Sequence, residues 1–119
     1  MFVYICKKTN AMTVQSDVSS AMLEKIKQYV REVDSDAEVI LFGSRARGDA
    51  RVDSDWDILI LVPGSVSLRQ EQAFRHKLFD LELEFGQAIS TFVYSKTDWS
   101  GKYRVTPLYQ NIVKDGITL

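Results

Sequence analysis

Apolar residues recur at the spacing of an amphipathic helix near the start of the chain. The apolar positions of this stretch, residues 18–33, are Val18, Met22, Ile26, Tyr29, Val30 and Val33. Charged and amide side chains fill the positions between them. Two pairs, Ser16-Asp17 and Ser19-Ser20, are both candidate N-caps. The pattern predicts a helix over residues 18–33 and leaves its cap open.

A second helix is predicted to open at Ser67, which forms a capping-box sequence with Gln70. Its apolar positions are Phe74, Leu78, Leu81 and Phe85. Gly86 suits the position after the last turn. Asp80 to Phe85 also alternates polar and apolar residues, as a strand does. The longer helical stripe and its terminal glycine favour the helix.

The sequence predicts three strands. Glu38 to Phe42 runs directly into Gly43, and Ala88 to Ser95 is rich in β-branched and aromatic residues. Trp56 to Val62 is almost continuously apolar and stops at Pro63-Gly64. A strand that is apolar on both faces is typical of the centre of a sheet covered by helices.

A third helix is predicted after a loop that runs through Trp99 and Gly101. Thr106-Pro107 supplies an N-cap followed by proline at the first helical position, and Gly116 ends the helix. Its predicted buried residues are Leu108, Tyr109, Ile112 and Val113. The order of helices and strands predicts an α/β fold, a small mixed sheet of three to four strands flanked by helices.

Length and charge limit the classes of protein to which this chain can belong. The 119 residues suit one domain, which we assign to residues 17–119, and residues 1–16 are expected to form a short edge strand or a loose extension. The net charge of −1 gives no general attraction to nucleic acid, and no segment suggests a membrane span. A single cysteine, Cys6, excludes an internal disulfide and fits the cytoplasm.

The candidate chemistry lies at the start of the central strand. Asp55 and Asp57 are two residues apart, so their side chains point to one face while Trp56 points to the other. Two carboxylates this close repel each other, and a hard divalent cation between them relieves that repulsion. Mg²⁺ accepts such a pair together with phosphate oxygens.

A turn suited to phosphate follows the preceding strand. Gly43 allows close approach of the backbone, and Ser44 offers its N–H and hydroxyl groups. Arg45 and Arg47 add positive charge; phosphate contact and ion pairing with nearby aspartates remain alternatives for both. The pattern predicts a triphosphate on the Gly-Ser side and its metal on the aspartate side.

These motifs, Gly43-Ser44 and Asp55-Trp56-Asp57, resemble the minimal nucleotidyltransferase domain of the DNA polymerase β-like nucleotidyltransferase superfamily. The resemblance covers roughly residues 17–95, and the final predicted helix is consistent with it. It implies that fold, Mg²⁺ as cofactor, ATP as substrate, and transfer of a nucleoside monophosphate to a hydroxyl. It also implies a HEPN-domain partner, with this chain as the antitoxin of a toxin–antitoxin pair. The short chain suggests that another chain presents the acceptor, and a homo-oligomer is left open.

One position departs from the family pattern. Members usually carry a third carboxylate on the next strand, and the matching position here is Ser90, with no acid between Gln87 and Thr97. Asp55 and Asp57 remain the candidate catalytic and metal-binding residues, with activity in doubt. The alternative is a catalytically weakened module that binds Mg-nucleotide and neutralises its partner by docking.

Five further residues have two interpretations each. His76 fits a solvated helix position better than a general base. Asp49 and Asp53 fit solvated loop charges better than outer metal ligands. Trp99 and Tyr103 suit either packing of the last loop or stacking on a nucleotide base.

Overall fold

The computed structural model describes the backbone of residues 10–119 and the side chains from Ser19 onward. The helices are α1 (Asn10–Val33), α2 (Ser44–Arg47), α3 (Leu68–Phe85), α4 (Lys96–Ser100) and α5 (Pro107–Asp115), with a 3-10 helix at Lys102–Val105. The strands are β1 (Glu38–Phe42), β2 (Trp56–Val62), β3 (Ile89–Ser95) and β4 (Ile117–Thr118).

The strands form one mixed sheet in the order β3-β2-β1-β4. β2 pairs antiparallel with β1, where Phe42 lies opposite Asp57, and parallel with β3, where Ser90 lies opposite Asp57. A parallel pair needs a crossover, and α3 supplies it. The predicted mixed sheet of three to four strands and the central place of β2 are confirmed.

Side chains of β2 alternate between two cores, one on each face of the sheet. Ile58, Ile60 and Val62 join Met22, Ile26 and Val30 of α1 and Phe74, Leu78 and Leu81 of α3. Leu59 and Leu61 join an aromatic-rich core with Phe42, Trp99 and Ile112. Ile58, Leu59 and Ile60 are fully buried. Truncating any of them to alanine would cost about 2–5 kcal/mol of folding free energy.

The start of α1 differs from the prediction. The helix begins at Asn10 rather than near Val18, so both candidate caps, Ser16-Asp17 and Ser19-Ser20, lie inside it. Eight further residues, Asn10 to Asp17, extend the helix before the amphipathic stripe, and a cap signal inside a continuous helix does not end it. The division at residue 16 therefore crosses α1, while Phe2–Cys6 lies outside the described residues.

The second predicted helix is confirmed as α3. The Ser67 side chain accepts a hydrogen bond from the Gln70 backbone N–H, and Gly86 ends the helix at φ +66°. The Gln70 side chain donates to Asp34 Oδ2, 3.1 Å away, instead of completing a capping box. Residues 80–85 continue the helix, because Leu81 and Phe85 extend its buried stripe.

The C-terminal part contains more regular structure than predicted. The predicted loop holds α4 and the 3-10 helix, which pack through the buried Trp99. α5 begins at Pro107 with Thr106 as N-cap, as predicted. Ile112 is buried, but Val113 is 66% exposed, so its predicted burial is wrong. β4 was not predicted, because a two-residue strand carries no periodic signal.

No helix in residues 10–119 combines the length and the hydropathy that crossing a bilayer requires.

Candidate active site

The site lies where β1 ends and β2 begins. Gly43 follows β1 with φ +75° and ψ −158°, a conformation that is almost restricted to glycine. A Cβ atom built on Gly43 would collide with the Asp57 carboxylate. The missing side chain therefore lets the Gly43 backbone pack directly against that carboxylate, which joins the two predicted motifs into one site.

Asp55 and Ser90 lie on the other side of Asp57. Asp55 is exposed immediately before β2, and Ser90 lies on β3 in register with Asp57. The Ser90 hydroxyl donates to Asp55 Oδ2 over 3.3 Å. Asp55, Asp57 and Ser90 thus share one face of the sheet, as strand alternation predicts for the two aspartates.

The electrostatics of the site favour a bound cation. Burial raises the pKa of Asp57 above its ordinary value, the neighbouring Asp55 raises it further, and Arg47 lowers it. Among residues with described side chains, no group of three His, Cys, Asp or Glu residues is arranged to hold a metal ion. Two carboxylates and a hydroxyl fit a hard cation such as Mg²⁺ whose remaining ligands come from phosphate and water.

Arg45 supports the loop that carries Asp55. Its guanidinium lies 4.4 Å from the centre of the Trp56 ring. Its Nη2 donates to the carbonyl oxygens of Val52, at 3.3 Å, and Ser54, at 2.9 Å. Arg45 therefore contacts residues on both sides of Asp55, a role that neither sequence alternative included. Its spacing from Trp56 carried no signal of this stacking.

Arg47 lies between the site and the C-terminal end of α5. It pairs with Asp49 at 3.3 Å and approaches Asp115 Oδ2 at 3.9 Å. The ion-pairing alternative thus describes Arg47 in this structure, although its side chain remains 46% exposed. Asp115 was missed, because the contact joins residues far apart in sequence.

The remaining candidates are explained by exposure or by packing. His76 is exposed on α3, while Asp49 and Asp53 are exposed loop residues. Trp99 is buried and packs on Tyr109, with ring centres 5.1 Å apart, and Tyr103 packs on Tyr94 at 4.6 Å. Packing accounts for both aromatic side chains.

Comparisons with known proteins match the chain to one family and to relatives of similar fold. A family model described as the nucleotidyltransferase domain matches residues 23–112. "Putative protein adenylyltransferase MJ0141" of Methanocaldococcus jannaschii is 36% identical over 81 residues, which are 64% of this chain and 82% of that protein.

Two solved structures share the fold. A nucleotidyltransferase from Sulfolobus solfataricus, so described with the qualifier "putative", has a TM-score of 0.53 and 25% identity, covering 97% of this chain and 90% of its own. A chain from a crystal structure of a toxin–antitoxin with AMP-PNP has a TM-score of 0.60 and 20% identity, covering 80% of this chain and 69% of its own.

Proposed function

This chain belongs to the nucleotidyltransferase domain family, and we propose that it transfers AMP from Mg-ATP to a hydroxyl group on a protein partner. The single observation that carries this proposal is the packing of Gly43 against the Asp57 carboxylate. That contact brings a glycine turn suited to phosphate beside a carboxylate pair suited to a metal. The relative named as an adenylyltransferase supports AMP as the transferred group.

In the reaction, the acceptor oxygen attacks the α-phosphorus of ATP while the bond to the bridging oxygen of pyrophosphate breaks. Pyrophosphate leaves with the electron pair, and the hydroxyl proton passes to a base. Bound Mg²⁺ would neutralise phosphate charge and favour departure of pyrophosphate. Asp55 and Asp57 would hold this ion. The backbone N–H groups at Gly43-Ser44 and the Ser44 hydroxyl would orient the triphosphate.

The two arginines take different parts in this proposal. Arg47 is exposed beside Asp57 and would contact phosphate by exchanging its pairing with Asp49. Arg45 would act indirectly, because its guanidinium is engaged by Trp56 and the loop carbonyl groups. It is therefore a positioning residue for Asp55.

The proposed acceptor is a HEPN-type protein, with this chain as the antitoxin in the cytoplasm. A toxin–antitoxin structure among those sharing the fold supports a partner protein. The partner would present its hydroxyl beside Asp55, which is exposed.

A second function, docking without transfer, is favoured by Ser90. We propose that Ser90 stands where catalytic relatives carry a third carboxylate, since its hydroxyl reaches Asp55. A serine is a poor proton acceptor, so metal activation of the attacking oxygen would be weakened. Under this alternative the domain keeps Mg-nucleotide binding and neutralises its partner by contact.

Thermal unfolding with ATP and Mg²⁺ tests nucleotide binding, which both functions require. At 100 times its dissociation constant, the nucleotide should stabilise the fold by about 2.7 kcal/mol. ATP with excess EDTA should give a smaller shift. No shift with Mg-ATP would contradict both functions.

A transfer assay with labelled ATP and the protein encoded by the adjacent reading frame distinguishes transfer from docking. We expect slow transfer by the parent and an increase of about 10²-fold or more in Ser90→Asp, because a carboxylate restores a base and a metal ligand. The double variant Ser90→Asp with Asp55→Asn is the control and should be inactive. Tight Mg-ATP binding without transfer by parent or variant would favour docking.

A further inference from the structure

The indole of Trp56 joins segments that flank the candidate site. Trp56 opens β2, stands between Asp55 and Asp57 in the chain, and is only 2% exposed. Alternation along the strand directs its ring to the face opposite the two carboxylates. A buried indole N–H needs an acceptor, because an unpaired N–H would lose its hydrogen bond to water without replacement. The identity of that acceptor shows which segment the ring is tied to.

Gln87 supplies this acceptor from the segment that precedes β3. The Trp56 Nε1–H donates to Gln87 Oε1. The Trp56 backbone N–H donates to the carbonyl oxygen of Ala88 over 2.9 Å. Two consecutive residues therefore hold both the backbone and the side chain of Trp56. The side-chain hydrogen bond favours the ring orientation in which Nε1 faces Gln87.

The face of the same indole holds Arg45. The Arg45 guanidinium stacks on the ring and donates to the carbonyl oxygens of Val52 and Ser54. Its Nε is buried and has no hydrogen-bond partner among the residues that the structure describes. The placement of the guanidinium thus depends on the indole face and on the two carbonyl groups. A change in the orientation of the ring would be transmitted to the loop that leads into Asp55.

We propose that Gln87 is a positioning residue for the carboxylate loop, residues 51–55, and acts on it through Trp56 and Arg45. The contacts run from the segment before β3 to the indole, then to the guanidinium and the loop carbonyl groups. Arg45 also follows Ser44 directly, so the same contacts join the phosphate turn to the metal side of the site. The effect on nucleotide binding rests on the proposed function, whereas the effect on the loop does not.

Isothermal titration with ATP, with and without Mg²⁺, tests the effect on binding. Gln87→Leu should weaken Mg-ATP binding about three- to tenfold, the net worth of one hydrogen bond, and change binding of ATP in EDTA less. Gln87→Glu keeps an acceptor oxygen at the same side-chain length and should bind within about twofold of the parent. Gln72→Leu, an exposed glutamine of α3, is the matched control and should have no effect.

A double-mutant cycle shows whether Gln87 acts through Arg45. Arg45→Met removes the guanidinium and should weaken Mg-ATP binding by about tenfold. In that background Gln87→Leu should add less than about twofold, because the contacts to the loop are already lost. A role of Gln87 in general stability would lower affinity equally in both backgrounds, and that result would overturn the proposal.

Hydrogen exchange of the protein without nucleotide tests the effect on the loop itself. The Ser54 N–H donates to the Arg51 carbonyl oxygen at 3.1 Å, and the Arg51 N–H donates to Ser54 Oγ at 2.8 Å. Gln87→Leu should speed exchange of these two amides about fivefold and leave the amides of α3 unchanged. Gln87→Ala admits water to the indole N–H and should lie between parent and Gln87→Leu.

The exchange measurement distinguishes this inference from the proposed function, because it needs no ligand. Faster loop exchange in a protein that binds no Mg-ATP would support the role of Gln87 and contradict the proposed function alone. Unchanged loop exchange in both Gln87 variants, or equal acceleration throughout α3, would overturn the inference even if the parent binds Mg-ATP tightly.

Discussion

The two sides of the candidate site differ in how firmly the fold holds them. On the β1 side, Gly43 packs against the half-buried Asp57, and burial raises the pKa of that carboxyl group. On the β3 side, Asp55 is exposed and receives one 3.3 Å hydrogen bond from Ser90. The β1 side is set by a direct backbone contact, whereas the β3 side depends on the exposed Asp55 side chain and its hydrogen bond from Ser90.

Because of this difference, we expect substitutions on the two sides of the site to have different effects. Changes on the β1 side should alter folding and nucleotide binding together, because the Gly43 contact belongs to both. Changes on the β3 side should alter metal and acceptor chemistry while leaving the fold intact, because exposed groups contribute little to stability. Under the proposed function, this division would suit a site whose nucleotide side is preformed and whose acceptor side is completed by the proposed partner.

The largest effect is expected for Gly43→Ala. The new Cβ would displace the Asp57 carboxylate, and the backbone conformation at Gly43 costs about 1–3 kcal/mol for a residue with a side chain. Denaturant unfolding should show that loss of stability, and Mg-ATP should no longer raise the melting temperature.

Gly48→Ala is the matched control for that change. Gly48 also has positive φ, at +87°, but no atom lies within 4 Å of a Cβ built there. It should lose stability through backbone strain and still bind Mg-ATP. Equal loss of Mg-ATP binding in both variants would mean that the Gly43–Asp57 contact has no specific role in nucleotide binding.

Asp55→Asn and Asp57→Asn should each weaken metal-dependent ATP binding more than about tenfold, because each removes a charged ligand for the cation. Isothermal titration with ATP, with and without Mg²⁺, measures the effect. Both variants should remain folded. If either binds Mg-ATP as the parent does, its carboxylate has no metal role.

The sequence predicts local, periodic features of this molecule but not contacts between residues that are far apart in the chain. Alternation along β2 predicted one face for Asp55 and Asp57, and the helical stripe predicted α3, because both are local and periodic. The contact of Gly43 with Asp57, the stacking of Arg45 on Trp56 and the approach of Asp115 to Arg47 join separate elements. Such contacts depend on sheet register and on the path of a loop, which no local pattern specifies.

Arg45→Lys should have an intermediate effect. A lysine cannot stack on Trp56 and also reach the carbonyl groups of Val52 and Ser54, so the loop before Asp55 should loosen. We expect a loss of about 1 kcal/mol in Mg-ATP binding and a change in tryptophan fluorescence. Arg47→Lys keeps its charge beside Asp57 and should lose less. The reverse order would assign phosphate binding to Arg45.

The smallest effect concerns how the stability of the protein without metal depends on pH. Since the folded-state pKa of Asp57 is raised, the folded state binds this proton more tightly than the unfolded state, and stability falls as pH rises through the raised pKa. Asp57→Asn should therefore be more stable than the parent near neutral pH, by a fraction of a kcal/mol because the group is partly exposed.

That advantage should shrink on acidification and vanish below the ordinary Asp value of 3.8. Asp55→Asn should give a smaller gain over the same range, because burial raises the Asp57 pKa more than the Asp55 charge does. Thermal unfolding of the three proteins in EDTA from acidic to neutral pH measures both gains. An equal or larger gain for Asp55→Asn would make repulsion between the carboxylates the dominant cause, and the two sides of the site would then act as one electrostatic unit.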